Sequence, residues 1–181
     1  MGESLKSRSG YYSCWYNRLQ GVLYLLAFLA FGIGDTITSI WMIEQRGITG
    51  EGNFFVQYIM LNYGPSEFIW IKICVTIVIL FMPFLILKGA AYWIINGYLV
   101  SFIVAGTLGT VLNIQASRNE QLLLSPGQVI FLFMALVMIL TSIGEEIDRR
   151  APLKIRPFIV CLLNDVSIIL VTISNTFKKG D

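Results

Sequence analysis

Long apolar runs separated by short polar interruptions dominate the chain. They extend from about Gly21 to Ile43, Glu67 to Leu87, Ala91 to Ile114, Pro126 to Ile143 and Pro157 to Phe177. Each approaches or exceeds the ~18 apolar residues that mark a membrane-spanning helix. The pattern therefore predicts five transmembrane helices. Between the first two lies the longest loop, 44–67, and inside it "NFFVQYIMLNY" is apolar but too short to span. It reads as a short interfacial or re-entrant helix in the first outer loop, ended by the Gly64-Pro65 break. Pro83 falls inside the second span, where neighbouring groups must satisfy the carbonyl it frees. In the third span, "AGTLGT" spaces Ala105 with Gly109, and Gly106 with Thr110, for close helix contact. Ser125 and Pro126 stand where a cap and a first helical residue would open the fourth span.

Composition agrees with the pattern. Apolar residues make up 56% of the 181 and charged residues 13%, against ~25% charged in soluble domains. The fold class is all-α, a polytopic membrane helix bundle. A formal net charge of +2 gives no bulk electrostatic case for nucleic acid. The chain has no histidine, which removes the usual general base and the commonest metal ligand together. Cys14, Cys74 and Cys161 show no C-x-x-C spacing and read as small buried residues. We therefore expect no cofactor and no metal.

Three stretches follow in order. Residues 1–19 form a polar segment with an aromatic interface collar at Tyr11, Tyr12, Trp15 and Tyr16. Residues 20–115 form a three-helix core, and 116–181 add two helices joined by a basic connector. The first apolar run is too long for a signal-peptide core and lacks a small-residue cleavage site, so it reads as an uncleaved helix. The loops on the N-terminal side carry eight lysines and arginines and the opposite side four, including Lys178 and Lys179. That asymmetry places the N-terminus in the cytoplasm and the C-terminus outside a cell membrane. The connector "GEEIDRRAPLKIRP" reads as a solvated cytoplasmic loop whose cations can touch anionic headgroups. An odd number of spans argues against a simple inverted-repeat transporter.

The candidate chemistry begins at Asp35. A charged aspartate at a helix centre costs roughly 2.5–3.5 kcal/mol on insertion scales, less towards the interface. Thr38 and Ser39 sit one turn on, on the same face. Lys72 enters early in the second span, which runs back inward, so it reaches a comparable outer depth. Glu51, Asn53 and Glu67 lie in the outer loop, within reach if the short helix folds inward. A second polar stripe, with Asn164 and Asp165, should face the bundle in the last span.

The order Asp35-x-x-Thr38, Glu51-x-Asn53, Gly64 and Lys72 resembles an uncharacterised family of small prokaryotic polytopic membrane proteins. That family's pattern is Asp-x-x-Thr, Glu-x-Asn-Pro, then Gly and Lys opening the next helix, with an asparagine late in the third. Asn113 stands at that last position, and Phe54 stands where the family has proline. The resemblance covers about residues 20–115 and implies a site without a known reaction.

The cluster reads either as polar glue pinning loop and helices together or as a ligand or ion site. The first reading makes the protein a non-catalytic subunit or scaffold of a membrane assembly, with lipid and other membrane subunits as partners. The second makes it a small transporter or channel working as a self-oligomer. A third reading comes from "GIGD", residues 32–35, which resembles the Gly-x-Gly-Asp element of intramembrane aspartyl proteases. That chemistry needs a second carboxylate sharing a proton. No aspartate precedes Asp35, and Asp165 is the other aspartate expected inside a span.

Overall fold

The computed structural model describes residues 17–86 and 91–150. The aromatic collar, Cys14, Cys161 and the fifth predicted span with Asn164 and Asp165 lie outside the described residues. Five helices are seen. They are α1 (Asn17–Arg46), the short α2 (Phe54–Asn62), α3 (Pro65–Ile86), α4 (Tyr92–Ser117) and α5 (Pro126–Arg150). Four of them, all but α2, are long and apolar enough to cross a membrane, and no strand occurs among the described residues. The arrangement is compatible with a multi-pass membrane protein.

Local chemistry sets the boundaries. Gly47, at φ +76°, ends α1 and donates to the Ile43 carbonyl at 2.8 Å, a conformation that suits glycine. The Asn53 side chain caps α2 by accepting from the Phe55 amide at 3.0 Å. Gly64, at φ +94°, turns the chain into Pro65, the first residue of α3. Ser125 and Gln128 form a reciprocal capping box at the start of α5.

Helix α4 is central. It packs against α5 on one side and α1 on the other, and α1 in turn contacts α3. The α4–α5 seam depends on two glycines. A Cβ on Gly144 would lie 2.5 Å from the Trp93 carbonyl oxygen, and one on Gly97 would lie 2.8 Å from the Leu140 carbonyl carbon. On the α1 side, a Cβ on Gly106 would come within 2.5–2.6 Å of the Ala30 and Phe31 backbone. The "AGTLGT" stripe thus lets α4 and α1 meet backbone to backbone. Around it lie Ala27, Leu80, Ile95, Leu99 and Phe102, with Phe102 stacked edge-on against both Phe31 and Phe133 at 5.0 Å.

The short helix α2 buries Val56 and Ile59 with Phe68 of α3, against Ile40 and Ile43 of α1. It turns Phe54, Phe55, Tyr58 and Leu61 outward, Phe54 being 80% exposed. Aromatics on such a face suit the headgroup region. Docking of α2 draws the 47–53 loop over the ends of α1 and α4.

One expectation needs correcting. The stretch from Gly144 to Arg150 is not a solvated loop but the last two turns of α5. Within it Asp148 is buried and accepts from the backbone amides of Trp93 and Ile94 at 2.9 and 3.1 Å. It caps α4 from a neighbouring helix, where a carboxylate satisfies open amides and complements the helix dipole. A run of mixed charges hid this one inward position.

Candidate functional site

The site forms where α1 changes register. Phe28–Gly34 form a π-helical turn, and the Asp35 amide bonds back to the Ala30 carbonyl. An extra residue in a turn rotates everything beyond it by about 100° relative to an unbroken α-helix. The Thr36 and Thr38 hydroxyls donate to the Gly32 and Gly34 carbonyls, satisfying backbone acceptors at the register change. The close approach of Gly106 falls on this same segment, so the widened turn and the glycine contact fit together. Asp35 thereby faces α3 and α4.

From α3, Phe68, Lys72 and Thr76 share one face at four-residue spacing. Phe68 is held under α2, and Thr76 lies beside Gly32. Lys72, between them, places its Nζ 2.8 Å from Asp35 Oδ2 and 4.6 Å from the centre of the Phe31 ring. The two side chains are 20% and 16% exposed, so the pair is largely withdrawn from solvent. The ring face adds a cation–π contact for the ammonium.

From α4, Asn113 closes the other side of the carboxylate. Its amide nitrogen lies 3.2 Å from Asp35 Oδ1, 3.0 Å from Ser39 Oγ and 3.3 Å from Thr38 Oγ1. An amide has two hydrogens to donate, so these acceptors share it. Gly109, one turn earlier, makes room: a Cβ there would fall 2.5 Å from Asp35 Oδ1. Asp35, Thr38 and Ser39 of α1 and Lys72 of α3 are thus brought together, with Asn113 of α4 as the clasp.

The loop supplies the rest. Glu51 Oε1 accepts from the Asn53 amide at 2.8 Å, and the Glu51 backbone carbonyl accepts from the Gln57 side chain. Asn53 itself is used in capping and makes no hydrogen bond to Asp35 or Lys72 among the described residues. Glu67 stays exposed in the first turn of α3, where a carboxylate complements the helix dipole. Burial pushes the Glu51 carboxyl above the ordinary carboxylate value. The Asn53 amide opposes that shift, the charge of Asp35 reinforces it, and Lys72 and the Gly52 amide oppose it again. Folding therefore holds the Glu51 proton more tightly than the unfolded chain does, and stability falls as pH rises from the unfolded carboxylate value through the raised folded one.

Beside this cluster is a pocket of about 380 Å³. Glu51, Asn53 and Asn113 are its polar lining. Met42, Phe54, Leu112 and Val129 are among its apolar walls. A carboxylate that shares a proton with a second aspartate is not present among the described residues. Asp35 is paired with an ammonium, and Asp148 caps the far end of α4, about 28 Å away at 1.5 Å per residue. No group of three or more histidine, cysteine, aspartate or glutamate side chains suited to a metal occurs among the described residues.

Two polar features escaped the sequence reading. Asp148 is one. The other is Gln20, fully buried, which donates to Asn96 Oδ1 at 3.2 Å and joins α1 to α4. An asparagine in the middle of an apolar run was the signal that would have located it.

No curated protein and no solved structure matches the chain. Residues 26–119 match a domain of unknown function, DUF5658. The match takes in Asp35, Glu51, Lys72 and Asn113, and stops short of α5. Because it spans more than half of the sequence, the chain belongs to the DUF5658 family.

Proposed function

We propose that the protein is a non-catalytic integral membrane protein, a subunit or scaffold of a larger membrane assembly. The observation that supports this reading is the state of Asp35. Both its carboxylate oxygens are engaged, one by Lys72 and one by Asn113. A carboxylate tied on both sides is suited to joining α1, α3 and α4 rather than to moving protons. Native mass measurement after mild extraction tests it: a stable hetero-assembly supports the subunit role, and a lone monomer overturns it. A homo-oligomer would instead favour a second reading, transport of a small solute. The pocket beside Glu51 and Asn113 speaks for that reading.

The cation asymmetry supports an N-terminus in the cytoplasm, with the C-terminus outside after a fifth span. With the natural cysteines replaced, Glu145→Cys at the exposed end of α5 is expected to resist impermeant thiol reagents in intact cells. Ready labelling there would reverse the orientation.

A further inference from the structure

The polar cluster is short of one positive charge. Asp35 and Glu51 bring two carboxylates and Lys72 brings one ammonium, which is already 2.8 Å from Asp35. The Glu51 carboxyl accepts from the Asn53 and Gly52 amides, but no cation is paired with it in an ion pair among the described residues. Asn113 turns its amide nitrogen to Asp35, Thr38 and Ser39. Its amide oxygen, on the opposite side of that group, has no donor among the described residues. Both residues line the 380 Å³ pocket. A partly buried carboxylate without a counter-charge is costly, and a cation or a proton relieves the cost.

The walls decide which cation fits. Hard metal ions take six or more oxygen ligands, and the pocket offers one carboxylate and two asparagines amid apolar side chains. Its volume lies at the small end of the ~300–1,000 Å³ typical of sites for organic ligands, which are mostly apolar with a few placed polar groups. We propose that this pocket binds an organic monocation, a primary ammonium on a compact apolar body. The ammonium donates to the Glu51 carboxylate and to the Asn113 amide oxygen, and the body lies against Met42, Phe54, Leu112 and Val129. One end of the site comes from the family domain and the other wall from α5, which lies outside residues 26–119. The site does not depend on the assembly reading, because a scaffold and a transporter can each hold such a ligand.

The probe is 2-phenylethylammonium chloride, added to the full chain in lipid nanodiscs, with thermal unfolding as the readout. The expected result is a saturable rise in melting temperature. Neutral 3-phenylpropan-1-ol and sodium chloride at matched ionic strength should not produce it. Glu51→Gln keeps the shape and the Asn53 contact while removing the charge, and should weaken the response about tenfold or more. Val129→Trp fills the pocket from its α5 wall and should abolish the response with Glu51 intact, which keeps the test decisive if Glu51→Gln folds poorly. An equal response to the neutral alcohol overturns the proposal, as does an equal response to sodium. An unchanged response in Val129→Trp overturns it as well.

Discussion

Lys72→Met should destabilise the extracted protein by about 3–5 kcal/mol, the range for breaking one side of a buried ion pair. The cause is the partner left behind. Asp35 would keep only the Asn113 amide on Oδ1, with Oδ2 left without its ammonium. Asp35→Asn should cost less. The neutral amide can still present an oxygen to Lys72, and the ammonium retains the Phe31 ring at 4.6 Å. The double variant should recover much of the Lys72→Met loss, because no unpaired charge remains. Thermal unfolding in detergent gives the three values, and their non-additivity is the quantity of interest. A double variant that loses the full sum of the single effects would show that the 2.8 Å contact carries no coupling.

The ion pair was legible because it follows from depth alone. Asp35 sits about two-thirds of the way along one span and Lys72 early in the next, so antiparallel helices bring them level. The N-cap at Asn53 and the break at Gly64-Pro65 were legible for a similar reason, being local chemistry. What the sequence did not display depends on a neighbour. The π-helical turn at Phe28–Gly34 has no composition of its own; it lies where α4 presses Gly106 onto the α1 backbone. Without that rotation the azimuth of Asp35 is unknown, which is why Asn113 entered by resemblance and not by geometry. Asp148 was lost in a charged stretch, since five of seven residues in 144–150 are charged and only one turns inward. Its spacing of four from Gly144, which touches α4 backbone, was the available clue. The pocket was not legible at all, because its walls come from the 50–54 loop, α4 and α5 together.

Gly106→Leu should be among the most damaging single substitutions in the apolar core. Its side chain would begin 2.5–2.6 Å from the Ala30 and Phe31 backbone, and backbone cannot rotate away as a side-chain tip can. Overpacking of this kind costs about 1–3 kcal/mol and more where no relief exists. Gly127→Leu is the matched control, because a Cβ there meets nothing within 4 Å. Melting temperatures that fall equally in the two variants would show that α1 and α4 do not meet backbone to backbone. The consequence for the site separates its two halves. Pushing α4 from α1 pulls Asn113 off Asp35, Thr38 and Ser39, while Lys72 reaches Asp35 from α3 and need not move. Asn113→Ala should therefore add little on the Gly106→Leu background, whereas Lys72→Met should still cost nearly its full amount there. If both losses vanish together, the ion pair is held by α4 as well, and the α1–α3 contact alone does not position it.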